Sequence, residues 1–163
     1  MKKIGLLSDT HGFIDDKMIE FFSSCDEIWH AGDIGNLAVA DKLSQIKPLK
    51  AVYGNIDGQE VRAVYPKIQK FQCEQVNVFM IHIGGYPGKY EKEAKTIIQN
   101  THVDMFISGH SHILKVMYDQ ENELLHVNPG AAGKSGLHKH QTAVRFIIDG
   151  KNIKDLEVFE MKR

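Results

Sequence analysis

The sequence predicts an α/β fold in which helices flank two stacked β-sheets, and three observations lead there. Over the first third of the 163 residues, short apolar runs alternate with helix-like stretches, the order of a parallel sheet. Beyond residue 113 the pattern turns to alternating runs separated by turn residues, the mark of antiparallel hairpins. The length favours one compact domain, residues 1–163, and no repeat, low-complexity segment or linker divides it.

Strand 3–8 opens the chain, followed by a helix at about 15–23, strand 27–31, a helix at about 37–45 and strand 49–53. Residues 68–73 and 76–83 read as a hairpin around Glu74-Gln75. The clearest helix is 90–101, where Tyr90, Ala94, Ile97, Ile98 and Thr101 share a face and Glu91 pairs with Lys95 at i,i+4. A strand at 104–108 precedes segments 114–119, 124–128, 142–149 and 152–160, with turns at Asn122 and Asp149-Gly150. These last four are assigned together to a second, more antiparallel sheet.

Charge narrows the function. The formal charge is −1, from 20 basic against 21 acidic residues, which argues against a protein that tracks extended nucleic acid. The only arginines are Arg62, Arg145 and Arg163, so bidentate phosphate clamps are scarce, and none accompanies the motifs below. Cys25 and Cys73 form no CxxC pair and suggest free thiols in a reducing, cytoplasmic setting. The amino-terminal apolar run, Ile4–Leu7, is too short for a secretory core, and no stretch approaches a membrane span.

The chemistry gathers where the apolar runs end. "KIGLLSDTH" ends in Asp9 and His11, "EIWHAGD" in Asp33, "LKAVYGN" in Asn55, "VNVFMIH" in His82, and "DMFISGHSH" in His110 and His112. In open α/β sheets the carboxyl edge is where loops converge to form sites. A lone Asp-x-His is more often a cap or turn, and His82 alone more often a core histidine. One site explains all five strand ends at once, whereas the alternative needs five separate accounts. Seven nitrogen and oxygen donors without a thiolate exceed what one ion holds and suit two borderline divalent ions. Sharing one donor brings such ions to ~3.5–4 Å, and a carboxylate can bridge where a neutral imidazole cannot.

Asp9-Thr10-His11, Gly32-Asp33, Gly54-Asn55-x-Asp57, His82, Gly109-His110-x-His112 and Asn128-Pro129-Gly130 resemble the calcineurin-like metallophosphoesterase superfamily, and the size its small YfcE-like phosphodiesterase branch. The resemblance implies a four-layer αββα sandwich of two mixed sheets. Metal one would lie on Asp9, His11, Asp33 and His112. Metal two would lie on Asp33, Asn55, His82 and His110, with Asp33 bridging. It further implies catalytic roles for Asp9, Asp33, Asn55 and His110, two divalent ions (Mn²⁺ first, then Fe, Zn, Ni or Co), and hydroxide between the ions as nucleophile. The expected substrate is a small phosphodiester, nucleotide-derived ones included, with a homo-oligomer left open. The alternatives are a phosphomonoesterase or a protein-binding scaffold like the related retromer subunit.

Two departures stand out. Relatives commonly place a proton-donating histidine between the Asn and the acid, where this chain has Ile56, flanked by Asn55 and Asp57. The run "IHIGGYPG" after His82 also differs and alters the pocket wall. His138 and His140, after the glycine-rich "NPGAAGKSG", are candidate substitutes for that donor and, with Asn55, candidates for substrate contact, while solvent-exposed loop histidines are the commoner reading. His30 is expected beside Asp33, His102 at a helix end and His126 in a strand.

Overall fold

The computed structural model describes residues 1–163. Its first half follows the expected order: β1 (Lys2–Leu7), α1 (Asp16–Phe22), β2 (Glu27–His30), α2 (Leu37–Ile46) and β3 (Leu49–Ala51). These first two helices start where a short polar side chain replaces the missing backbone acceptor. Asp15 accepts from the Lys17 amide before α1, and Asn36 from the Val39 amide before α2. A further helix, α3 (Gln59–Val64), precedes the hairpin β4 (Ile68–Cys73) and β5 (Val76–Ile81).

Next come a tight ribbon, β6 (Gly85–Tyr86) with β7 (Lys89–Tyr90), then α4 (Lys92–Asn100) and β8 (Met105–Ile107). Tyr90 therefore lies outside the expected helix, and Thr101 caps it. The chain closes with β9 (Leu114–Asp119), β10 (Leu124–Pro129), β11 (His140–Asp149) and β12 (Asn152–Lys162).

Two mixed five-stranded sheets result, ordered β12-β11-β1-β2-β3 and β4-β5-β8-β10-β9. The β11–β12 hairpin is thus corrected to the first sheet. β11 runs antiparallel to β1 with Lys2 opposite Ile148, while β9 and β10 complete the second sheet. Alternation along the strands builds the layers. Ile4 and Leu6 of β1 meet Val78 and Met80 of β5 between the sheets. Leu7 faces Met18 and Phe22 of α1 and Leu43 of α2, while Phe79 and Ile81 face Ala94 and Ile98 of α4. The architecture is the expected αββα sandwich. Cys25 and Cys73 are both buried and free. No helix is long and apolar enough to cross a membrane.

Candidate metal centre

The loops after β1, β2, β3, β5 and β8 bring the predicted donors to one edge of the sandwich. Backbone bonds lace these loops together. The Asp9 amide donates to Gly32 O (2.9 Å), His11 to Asp33 O (3.0 Å), Gly109 to His82 O (2.9 Å), and Gly133 to Asp9 O (3.1 Å). Approach is so close that a Cβ at Gly54 would collide with Asp33 Oδ1, and one at Gly109 with Ser8 Oγ. Five donors sit in left-handed backbone: Asp9 (φ 55°), His11 (47°), Asp33 (55°), His110 (73°) and His112 (63°). That region is unfavourable for side chains with a Cβ, and such strain concentrates at functional sites.

Two triads form. The donor atoms of Asp9, His11 and His112 lie within 4.8 Å of one another, as do those of Asp33, His82 and His110. Asp33 Oδ2 stands between them, 3.3 Å from His11 Nε2 and 3.2 Å from His82 Nε2. Its other oxygen, Oδ1, accepts the Ile56 amide (3.1 Å). Asp9 divides its oxygens likewise. Oδ2 accepts from Ser8 Oγ (2.7 Å) and the His110 amide (3.1 Å), and Oδ1 faces His112 Nε2 at 3.1 Å. His82 Nδ1 is 2.7 Å from Ala31 O, so it carries the proton and leaves the Nε2 lone pair facing the centre.

Of six buried side-chain atoms without a hydrogen-bond partner, three belong to these triads: Asp9 Oδ1, His11 Nε2 and His82 Nε2. Nearly all buried polar atoms in proteins are paired. Orphans converging from a carboxylate and two imidazoles fit divalent-cation ligation.

The electrostatics are those of an anion–imidazole cluster. Burial would raise the Asp9 carboxyl, but His11 and His112 beside it, with His82 and Ser8, hold it well below the usual range. Asp33 is lowered too, because its His82 neighbour and the Ile56 amide outweigh burial. Asp9 raises His11, and for His82 the Asp33 and Asp9 charges overcome a burial that works the other way.

Asn55 is exposed and lines a cleft of about 430 Å³ together with His82, Arg62 and Lys67. The expectation that no arginine accompanies the motifs is therefore corrected. Arg62 on α3 lies 4.5 Å over the Tyr53 ring and donates from Nε to Asp57 O (2.6 Å). His138 also reaches the centre, its ring 5.1 Å from that of His112 and its Nε2 2.8 Å from Gly133 O. His140 does not. It lies exposed at the start of β11, with Nε2 3.7 Å from Glu160 Oε1 on β12.

Asp57, next to Ile56 in sequence, is committed to the loop backbones instead. Its buried carboxylate accepts the amides of Ile34 (3.1 Å), Gly35 (2.8 Å) and Gly54 (2.8 Å), stapling the β2 and β3 loops. His30 braces the same region, accepting the Gly32 amide at Nδ1 and bonding Thr10 Oγ1 through Nε2 (2.9 Å). Sequence reasoning missed Ser8, Asp57 as a staple, and Arg62. For Arg62 the available sign was its place seven residues after Asn55, one of three arginines in the chain.

Comparisons with known proteins agree with this geometry. A probable metallophosphoesterase from Methanothermobacter thermautotrophicus is 27% identical over 133 residues, 78% of this chain and 76% of the relative. One from Methanocaldococcus jannaschii is 28% identical over 134 residues, 78% and 67% respectively. Among solved structures, a novel archaeal phosphodiesterase superposes with TM-score 0.75 at 23% identity, covering 96% of this chain and 99% of that one. Zinc-complexed Vps29 from Entamoeba histolytica gives 0.75 at 16% identity, covering 98% of each chain. Both structures share the fold. The sequence profile of the calcineurin-like phosphoesterase superfamily domain matches residues 1–151. With strand-end donors in that order on that sandwich, the chain belongs to the calcineurin-like phosphoesterase superfamily.

Proposed function

We propose that residues 1–163 act as one domain that hydrolyses small phosphodiesters with two divalent cations. Asp9, His11, Asp33 and His112 would hold one, and Asp33, Asn55, His82 and His110 the other. The observation that carries this reading is Asp33 Oδ2 between two orphaned imidazole nitrogens, one from each triad. The family resemblance puts Mn²⁺ first, and an all-N/O donor set without thiolate equally admits Fe, Zn, Ni or Co. When bound, such ions supply a water acidified toward neutral pH and positive charge against the phosphate.

The chain's own residues do the rest. The Ile56 amide and the Ser8 hydroxyl each hold one carboxylate oxygen, so that the other faces the imidazoles. The Ala31 carbonyl fixes the His82 tautomer. The Asn55 amide would ligate through oxygen and leave its NH₂ free for a phosphate oxygen, and Ile56 has no proton to offer the leaving group. Diesters whose alcohol departs unaided are therefore the better substrates.

Arg62 in the Asn55 cleft, where Lys67 is paired with Glu93 at 2.8 Å, favours a second reading, phosphomonoester hydrolysis, because a guanidinium there suits a dianion. One experiment separates the readings. Protein stripped of metal and resupplied with Mn²⁺ is assayed on bis(p-nitrophenyl) phosphate and p-nitrophenyl phosphate. Faster diester cleavage is expected, and faster monoester cleavage would make Arg62 the selector. No turnover of either, with two ions bound, would leave a binding scaffold.

A further inference from the structure

The centre opens into two clefts. The Asn55 cleft meets it at His82, and another of about 310 Å³ meets it at His110, with Ile83 and Glu91 shared between them. The second is near the lower end of the ~300–1,000 Å³ typical of ligand pockets. Its walls leave apolar bodies in water around a concave space, with Ile83 39%, Tyr86 40% and Ile113 62% exposed. Lys115 Nζ sits 4.1 Å from the Tyr86 ring centroid, holding that wall in place.

One polar group in this cleft has no structural occupation. His126 of β10 lines it and is 1% exposed. Its Nδ1 lies 3.2 Å from Phe106 O, so Nδ1 bears the proton and Nε2 is an acceptor. Nε2 is buried and has no partner. Burial lowers this imidazole to about 4, which keeps it neutral and accepting at physiological pH. Buried acceptors are almost always satisfied, so a donor belongs here.

We infer that the His110-side cleft is a subsite for one ester arm of the substrate. The arm is a planar nitrogen heterocycle with an N–H donor, the chemistry of a nucleobase, packed on the Tyr86 wall and donating to His126 Nε2. This rests on the diesterase reading and narrows its substrate class. A diester has two arms and the centre has two clefts. The apolar, acceptor-bearing one takes the ring, and the Asn55 cleft, lined by Arg62, Lys92 and the Lys67–Glu93 pair, takes the polar arm.

The test uses uncharged probes, so neither metal nor turnover is needed. Thymidine and N3-methylthymidine, which lacks the donor, are titrated into ¹⁵N-labelled protein, and the amide shifts of Gly84, Gly85 and Ile113 are followed. Thymidine should bind about tenfold more tightly than its methylated analogue, the scale of one buried hydrogen bond. His126→Phe should abolish that preference. Because a buried substitution can impair folding, Tyr86→Ala at an exposed position is the companion variant and should weaken both probes. In the Mn²⁺-loaded protein, thymidine 5′-(p-nitrophenyl phosphate) should show a lower KM than bis(p-nitrophenyl) phosphate. Equal binding of the two nucleosides, or no shift with either, would overturn the subsite even if diesters are cleaved. Selective binding without hydrolysis would sustain the subsite and overturn the hydrolase reading instead.

Discussion

Ile56 reaches Asp33 through its backbone: the amide nitrogen lies 3.1 Å from Asp33 Oδ1, while the side chain is 45% exposed. Any residue but proline supplies that amide, so the position where relatives carry histidine is chemically free without loosening the proposed bridging carboxylate.

Installing a donor there should consequently cost little. Ile56→His is expected to shift stability by no more than ~0.5 kcal/mol, as for other exposed positions. It should speed cleavage of diesters with alkyl leaving groups by at most ~10²-fold and leave nitrophenyl esters nearly unchanged. The Asp57 carboxylate, spent on three amides, will not help to orient the new ring. Leaving-group dependence at matched metal occupancy checks this, and an unchanged alkyl-to-nitrophenyl ratio would refute it.

Removing the staple should be severe. Asp57→Ala strands three amides on the loops that carry Asp33 and Asn55, at a cost of about 3–4 kcal/mol. Urea unfolding should show the lower midpoint, with metal affinity reduced in parallel. A loss below about 1 kcal/mol would mean that water replaces the carboxylate there.

Metal counting per protomer tests the bridge. Asp33→Asn should lower occupancy at both positions. His112→Ala should empty mainly the Asp9–His11 side, and His110→Ala mainly the His82 side. Two ions retained in Asp33→Asn would rule out Asp33 as the shared ligand.

Above pH ~6.5 acidification should stabilise the metal-free protein while weakening metal binding, and below it both effects should be destabilising. Without metal, His11 and His82 are held above the ordinary value of ~6.5, so their protonation stabilises the fold. That contribution is complete below ~6.5 and fades as pH rises through their raised values. His30 and His126, lowered to about 4 by burial, stay neutral in the fold but charge when unfolded, so acidification from ~6.5 toward 4 destabilises. The thermal midpoint of the metal-free protein should therefore peak near pH ~6.5. Stabilisation by added Mn²⁺ should instead fall throughout acidification, because protons compete for the ligating imidazoles. A midpoint that rises monotonically toward pH 4 would contradict the His30 and His126 assignments.

The convergence of Asp9, His11, Asp33, His82, His110 and His112 was legible because each sits where an apolar run stops, and β1–β2–β3 announced a parallel order. The placement of β11 was not. Alternation says that Val144 and Phe146 are buried, but it cannot say that their strand pairs with β1, 140 residues away in sequence. α3 has a single buried residue, Val61, so no periodic face marks it, and the reach of Arg62 depends on that helix. Nor does a sequence show where an acceptor's partners lie, which is why Asp57 read as a neighbour of position 56. Tyr90 looked helical from its spacing, yet it lies in β7 and its hydroxyl donates to Asp119 Oδ2 (2.6 Å) at the end of β9.

The pairing of β1 with β11 also sets an order in time. All seven donors lie between residues 9 and 112, whereas the strand that flanks β1, and Gly133, whose amide bonds Asp9 O, lie later in the chain. At ~5–20 residues per second, a ribosome takes roughly 2–7 s to pass from His112 to Asp149. Through that interval the nascent polypeptide carries its full complement of imidazoles and carboxylates with one sheet still open along β1. The proposed cation sites would thus reach their native geometry late, once the β11–β12 hairpin docks on β1.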